Sequence, residues 1–280
     1  SQPEGGQARQ RARSQPESGQ ARQRAQPEGG QARQRQASPR AKQHASTSKL
    51  PVVSDPRGGA PAPTKPKGDP RSWPPARKLE YLRYHIGDCQ RCQLARTRTT
   101  IVFGSGNPEA QILLVGEAPG ADEDRQGLPF VGRAGQRLTQ MLRELSIERS
   151  DVYIANVLKC RPPRNRDPQP EEVHACSKFL EAQIRAIAPR VIVALGRHAG
   201  MLMLRREMTL REMRGRQWTY EQAAAKLKIP LYITYHPSFV LRQESDARRN
   251  SDNPSEAHAT VVGDLREAFS VIRAASDGHP

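Results

Sequence analysis

The chain has 280 residues, 45 Lys+Arg against 29 Asp+Glu, a formal net charge of +16, and only 5% aromatic residues. The average hides a split: residues 1–72 carry 14 basic and 5 acidic side chains, a net of +9, and all 13 aromatics lie at or after Trp73. A segment without aromatics and rich in Pro, Gly, Gln and Arg cannot bury enough apolar surface to offset its ordering entropy, which excludes a folded N-terminal domain and leaves about 200 residues for one globular unit.

The N-terminal stretch repeats itself. Gln2-Pro3-Glu4-Gly5-Gly6-Gln7-Ala8-Arg9-Gln10-Arg11 recurs with one change over Gln15–Arg24, and again over Gln26–Arg35. The unit is too polar to stack as a solenoid. The expectation over residues 1–72 is a disordered basic tail, either a cationic tether for nucleic-acid phosphates or a solvated extension. It has no apolar h-region of a secretory signal, and its repeats and prolines fit an organelle presequence badly. No run approaches the roughly 18–20 apolar residues of a membrane span, so no membrane partner is expected.

Globular patterning begins at Trp73, and the expected domain covers 73–280. Trp73 to Ile86 reads as a helix. Gln111 to Val115 is a short apolar run ending in Gly116, the signature of a buried strand. Arg133 to Ile147 reads as a helix and Val152 to Ala155 as a second strand. Glu171 to Ala188 is a helix stopped by Pro189. Val191 to Leu195 is a third strand, ending in Gly196. Leu231 to Thr234 is a fourth, followed by His236-Pro237, and Glu256 to Ala275 closes the chain as a helix. Apolar strands alternating with helices imply an α/β fold with a parallel sheet covered on both faces. Ligands of such sheets bind beyond the C-terminal strand ends. Here those ends carry Gly116-Glu117, Asn156, Gly196 and His236.

Four cysteines stand out: Cys89 and Cys92 two residues apart, then Cys160 and Cys176 with fifteen between them. In a non-secreted chain of this size they suggest metal or redox chemistry rather than disulfides. Four thiolates suit tetrahedral zinc or an iron–sulfur cube, and buried free thiols are a third reading. Structural zinc usually has two short pairs, which disfavours it. The site would tie the helix ending near Ile86 to the loop after the second strand, a structural role.

Three loops carry further chemistry. Gly116-Glu117-Ala118-Pro119-Gly120-Ala121-Asp122 turns sharply after the first strand, where backbone amides can donate to a carbonyl oxygen and Glu117 can orient or deprotonate a water. Phe130 sits in the Gly/Pro-rich Gly127–Gly135 segment, off any periodic core face, and can stack on a planar base. His236 is placed to donate to an oxygen that gains charge, with Ser238 and Arg242 able to hold phosphates.

Together these residues resemble the family 4 uracil-DNA glycosylases, the iron–sulfur branch of that superfamily. The resemblance runs from about Trp73 to the C-terminal helix. It rests on Gly116-Glu117-Ala118-Pro119-Gly120, Pro129-Phe130-Val131-Gly132, Asn156-Val157-Leu158-Lys159-Cys160-Arg161-Pro162-Pro163, His236-Pro237-Ser238 and the cysteine spacing. It implies a three-layer α/β/α sandwich with a four-stranded parallel sheet, and a [4Fe-4S] cluster on Cys89, Cys92, Cys160 and Cys176. It further implies a DNA glycosylase that flips uracil out of DNA and hydrolyses its glycosidic bond, leaving an abasic site for base excision repair. Glu117 and His236 would be catalytic. Gly116, Glu117, Ala118, Asp122, Phe130, Asn156 and His236 would hold uracil, and Ser238 and Arg242 would contact DNA. A monomer acting on uracil-containing DNA in a bacterial or archaeal cytoplasm is expected. A covalently trapping relative would need an inserted basic loop bearing a reactive His after the second strand. Here Arg161–Ala175 is short and its one His is His174. A broader base-excision enzyme would lack the acid in its first motif, against which Glu117 argues, although activity on other deaminated bases stays open; a non-catalytic DNA-binding protein on the same scaffold is the third alternative.

Overall fold

The computed structural model describes residues 68–250 and 256–274. The expected basic tail therefore lies, through residue 67, outside the described residues. From Gly68 onward the order is α1 (Pro75–Ile86), β1 (Ser105–Gly106), β2 (Ile112–Gly116), α2 (Ala121–Gln126), α3 (Arg133–Arg143), β3 (Val152–Asn156) and α4 (Pro170–Ile187). There follow β4 (Val191–Leu195), α5 (Arg197–Leu204), α6 (Leu210–Met213), β5 (Trp218–Gln222), β6 (Leu227–Thr234), α7 (Pro237–Asn250) and α8 (Glu256–Ala274). Among these helices none is long and apolar enough to cross a membrane.

The six strands form one mixed sheet in the order β1-β3-β2-β4-β6-β5. β3, β2, β4 and β6 run parallel, while β1 and β5 pair antiparallel at the two edges. The expected four-stranded parallel sheet is thus corrected to a six-stranded mixed one. β1 has two residues, too few to show a period, and β5 alternates exposed and buried positions in a polar sequence. β6 starts four residues earlier than expected. Pro230, which argues against a central strand, pairs only with Thr219 of β5, and the ladder to β4 begins one residue later at Leu231.

The inner strands are buried on both sides, which is why they read as continuous apolar runs. Alternate residues feed two cores. Leu113, Val115, Tyr153, Ala155, Ile192 and Ala194 face α1, α4, α5 and α6. Ile112, Leu114, Ile154, Val191, Val193 and Leu195 face α3, α7 and α8. α4 starts with a carboxylate cap: Glu172 accepts the Gln169 N–H at 2.9 Å and pairs with Arg166 at 2.6 Å. It stops at Ala188, held in the left-handed region (φ 50°) just before Pro189. α3 ends four residues short of its expected end, because the chain turns through Ser146 at φ 59°.

Candidate active site

From β2 the chain crosses to β3 on one side and later to β4 on the other, so the strand order reverses at β2. That reversal opens the crevice in which doubly wound sheets hold ligands. Gly116, Asn156, Gly196 and His236 all end or follow strands at this edge.

Gly116 and Asn156 are register partners. A Cβ on Gly116 would lie 2.3 Å from Asn156 Oδ1 and 2.7 Å from the Phe130 ring, so only glycine lets these three groups meet. Past the strand end, Val157 N–H donates to Gly116 O and Leu158 N–H to Glu117 O, both at 2.9 Å, which fixes the main chain of the turn. Asn156 is 2% exposed, and its Oδ1 has no hydrogen-bond partner. An unpaired buried carbonyl costs about 1–3 kcal/mol, so this oxygen is open to a donor from outside the chain, a water or a ligand.

Phe130 is held from both sides in a strained conformation, φ 52°. Glu123 Oε1 accepts the N–H groups of Val131 and Gly132 at 2.9 Å, and Oε2 accepts that of Gly120 at 3.1 Å. Arg149 donates to Phe130 O at 3.1 Å and Pro129 O at 2.9 Å. Gly135 lets α3 press directly on the Phe130 carbonyl, where a Cβ would sit at 1.8 Å. A left-handed bulky residue costs about 1–3 kcal/mol, and these contacts over-determine it. The ring centroid stands 5.6 Å from that of His236, tilted by 35°.

The tautomer of His236 follows from its contacts. Ser238 N–H donates to Nδ1 at 3.1 Å, and Ser238 Oγ lies 2.8 Å from the same atom. An accepting Nδ1 leaves the proton of a neutral ring on Nε2. The residue keeps some exposure, but the protein packed around the ring disfavours charge, and the Arg242 cation adds to this. Together they push its pKa down to about 4. His236 is therefore a neutral donor at pH 7. Arg242 is exposed and reaches Ser238 Oγ at 3.4 Å.

Glu117 takes a partner that the sequence reading missed: His198 Nδ1 lies 2.6 Å from Glu117 Oε2. Asp167 Oδ1 is 3.6 Å from the same nitrogen. Burial raises the Glu117 pKa, His198 opposes that, and Asp167 adds to it. Of the other expected site residues, Ala118 is half-buried against the core. Asp122 spends its carboxylate on Arg125 and packs over Gly132, so its side chain braces the Phe130 loop.

The four cysteines line one cavity between the α1–β1 segment, the β3–α4 segment and α4. Donors point at the sulfurs: Lys159 N–H to Cys176 at 3.2 Å, Arg91 to Cys89 at 3.3 Å and Arg98 to Cys160 at 3.7 Å. Burial pushes the Cys160 thiol up to about 12, against the pull of Arg98, and raises that of Cys176, against the pull of Lys159. Among the described residues, the group of three or more ligand atoms within 4.8 Å of one another is Glu117, Asp167 and His198, not the cysteines. Sulfurs around one zinc ion, at about 2.3 Å each, would stand about 3.8 Å apart. Among the described residues no three of the four sulfurs form a group within 4.8 Å of one another.

Comparison with known proteins agrees with this arrangement. Residues 103–260 match the uracil DNA glycosylase superfamily. A type-4 uracil-DNA glycosylase of Thermotoga maritima is 43% identical over 196 residues, 70% of this chain and 95% of the relative. One of Archaeoglobus fulgidus is 44% identical over 180 residues, 61% and 90% of the two chains. The chain belongs to the uracil DNA glycosylase superfamily, in its type-4 branch.

For this type-4 member, the sequence located Gly116, Phe130, Asn156 and His236, and the structure brings them together. His198, Glu123 and Arg149 escaped notice. His198 stands two residues after Gly196, at a strand end already singled out, and that position was its one signal. Glu123 and Arg149 act on loop backbone, which leaves no mark in residue type.

Proposed function

We propose that the chain excises uracil from DNA by hydrolysing the glycosidic bond of a flipped nucleotide. The observation that carries this reading is the buried, unpaired Oδ1 of Asn156, which meets the Phe130 ring over Gly116. Glycosylases as a class are the type case of base flipping. Uracil would stack on Phe130, and the Asn156 amide would accept from N3–H and donate to O4. Cytosine presents the opposite pattern at both positions and would leave both amide groups unmatched. Thymine differs by one methyl group, so its exclusion is steric.

Bond cleavage leaves negative charge on the base and positive charge on the sugar. His236, neutral and protonated on Nε2, would donate to uracil O2 as that charge develops. Backbone amides of the Glu117–Asp122 turn would hold a second carbonyl. Glu117 would direct water to C1′ and stabilise the cationic sugar. A preorganised group of this kind is typically worth about 2.7–4 kcal/mol. Ser238 and Arg242 would hold flanking phosphates.

The donor set of Cys89, Cys92, Cys160 and Cys176 fits a [4Fe-4S] cluster: four sulfurs on one cavity, set wider than zinc requires, with N–H and guanidinium donors aimed at them. When bound, the cluster would supply a structural cross-link between the α1–β1 segment, the β3–α4 segment and α4. The test is cleavage of a uracil-containing oligonucleotide by alkali after incubation, with thymine and hypoxanthine oligonucleotides alongside. Alkali-labile product from uracil supports the reading. A mass-shifted protein–DNA adduct, or binding without product, would replace it with the trapping or the non-catalytic alternative.

A further inference from the structure

We propose that His198 is a positioning residue that presents the Glu117 carboxylate to the hydrolytic water, an inference that rests on the role given to Glu117 above. His198 Nδ1 lies 2.6 Å from Glu117 Oε2. That bond occupies one carboxylate oxygen. Among the described residues no hydrogen-bonding partner meets the other, Oε1, which is the oxygen left for water.

The backbone around His198 is fixed to the same edge. Gly196 N–H donates to Thr234 O at 2.9 Å, tying the end of β4 to the end of β6. Gly196 takes φ 96°, and a Cβ there would lie 3.0 Å from His236 Cβ. One turn thus abuts His236 and, two residues on, delivers the imidazole to Glu117. The leaving-group donor and the water-directing acid are set from a single rigid corner.

Electrostatics gives the second argument. The charged and titratable groups facing Glu117 are His198 and Asp167. Without the imidazole, two carboxylates would face one patch, and like charges disfavour ionisation of both. Burial already raises the Glu117 pKa, and His198 is the group that counteracts it. The same three side chains could be read as a cation site, since their ligand atoms fall within 4.8 Å of one another. The 2.6 Å separation argues otherwise. Two ligands at about 2.0–2.1 Å from one tetrahedral zinc ion would stand about 3.4 Å apart, whereas 2.6 Å is a hydrogen-bonding distance.

The experiment is single-turnover uracil excision as a function of pH with the full-length, cluster-loaded chain and its His198→Ala, His198→Asn, Glu117→Gln and Glu117→Gln/His198→Ala variants. Removing His198 raises the Glu117 pKa further, so the acid limb of His198→Ala should move to higher pH. The loss should be on the order of tenfold at the acid end and about threefold or less on the plateau, with binding of uracil-containing DNA retained. Asparagine presents an amide N–H where the ring presents Nδ1, so His198→Asn should recover most of the plateau rate. In the Glu117→Gln background His198→Ala should add no further loss. A His198→Ala profile that superimposes on the parent while Glu117→Gln is impaired would overturn the proposal alone. So would a loss equal at every pH and unrelieved by His198→Asn, which would mark a purely structural role. A fully active Glu117→Gln would instead remove the role of Glu117 itself.

Discussion

Two polar centres lie a few residues apart along one stretch of chain, and they are built on opposite electrostatic plans. The sheet edge around Asn156 offers neutral groups: an amide with an unpaired oxygen, an imidazole whose charge is suppressed, and a phenyl ring. The cysteine cavity, reached four residues later at Cys160, is ringed by Arg91, Arg98 and Lys159. A neutral pocket suits a neutral, planar base read by hydrogen bonds. A cationic shell suits thiolates that carry net negative charge. On the proposed reading, specificity at the first rests on matched donors and acceptors, and stability at the second on compensated charge.

Removing a cysteine from the cavity should have the largest effect. Cys160→Ser is expected to lose absorption near 400 nm and to lower folding stability by several kcal/mol, since ligand sets of this kind convert binding energy into folding energy. A colourless Cys160→Ser protein that melts with the parent would show that the cavity does not support the fold.

The sheet edge should respond in turnover instead. His236→Ala is expected to lower single-turnover excision by about 10²–10³-fold, the effect of about 2.7–4 kcal/mol, with little change in the melting temperature or in binding of uracil-containing DNA. Excision within about threefold of the parent would remove His236 from the chemistry. The contrast between the variants is the point: one should break the fold and the other the rate.

Lys159 joins the two centres and should give an intermediate effect. Its ammonium is fully buried and donates to Asn156 O at 2.7 Å and Gln183 Oε1 at 2.6 Å. Burial pulls its pKa down to about 8, against the pull of Cys176 and Cys160. Lys159→Met would orphan both acceptors and should cost about 2–4 kcal/mol of stability. The loss should be greater with the metal site filled than after chelation, because filling it adds negative charge beside the ammonium. Denaturant unfolding of both forms measures the difference, and an equal loss in the two would disconnect Lys159 from the cavity.

How much of this could be read from sequence depended on whether a residue's partner lies near it in the chain. β2, β3 and β4 were visible because strands buried on both faces must be apolar throughout. β1 and β5 were not, since an edge strand needs neither length nor a continuous apolar run. Gly116, Phe130, Asn156 and His236 announced themselves as chemically able residues beside strand ends or in glycine-rich loops. His198 did not, because its partner lies 81 residues away and an isolated His in a helix looks like any other. The cysteine spacing disfavoured structural zinc but left an iron–sulfur cube, zinc and buried free thiols all open.

The smallest expected effect tests the neutrality of the sheet edge directly. His236 has its pKa lowered from 6.5 to about 4 in the fold. Between those values the unfolded chain binds a proton that the native ring refuses, so stability falls as pH drops through that window. The stabilising contribution is complete above about pH 6.5 and gone below about pH 4. Given the partial exposure of the residue, we expect about 1–2 kcal/mol. Carboxylates titrate over part of the same range, so the informative quantity is the parent curve minus that of His236→Gln, which cannot take up a proton. A difference that grows as pH rises from 4 to 6.5 and then levels off places a neutral imidazole at the edge. A difference running the other way would mean that the native ring gains rather than loses affinity for its proton. The edge would then be set up to hold a charge, and the contrast with the cysteine cavity would disappear.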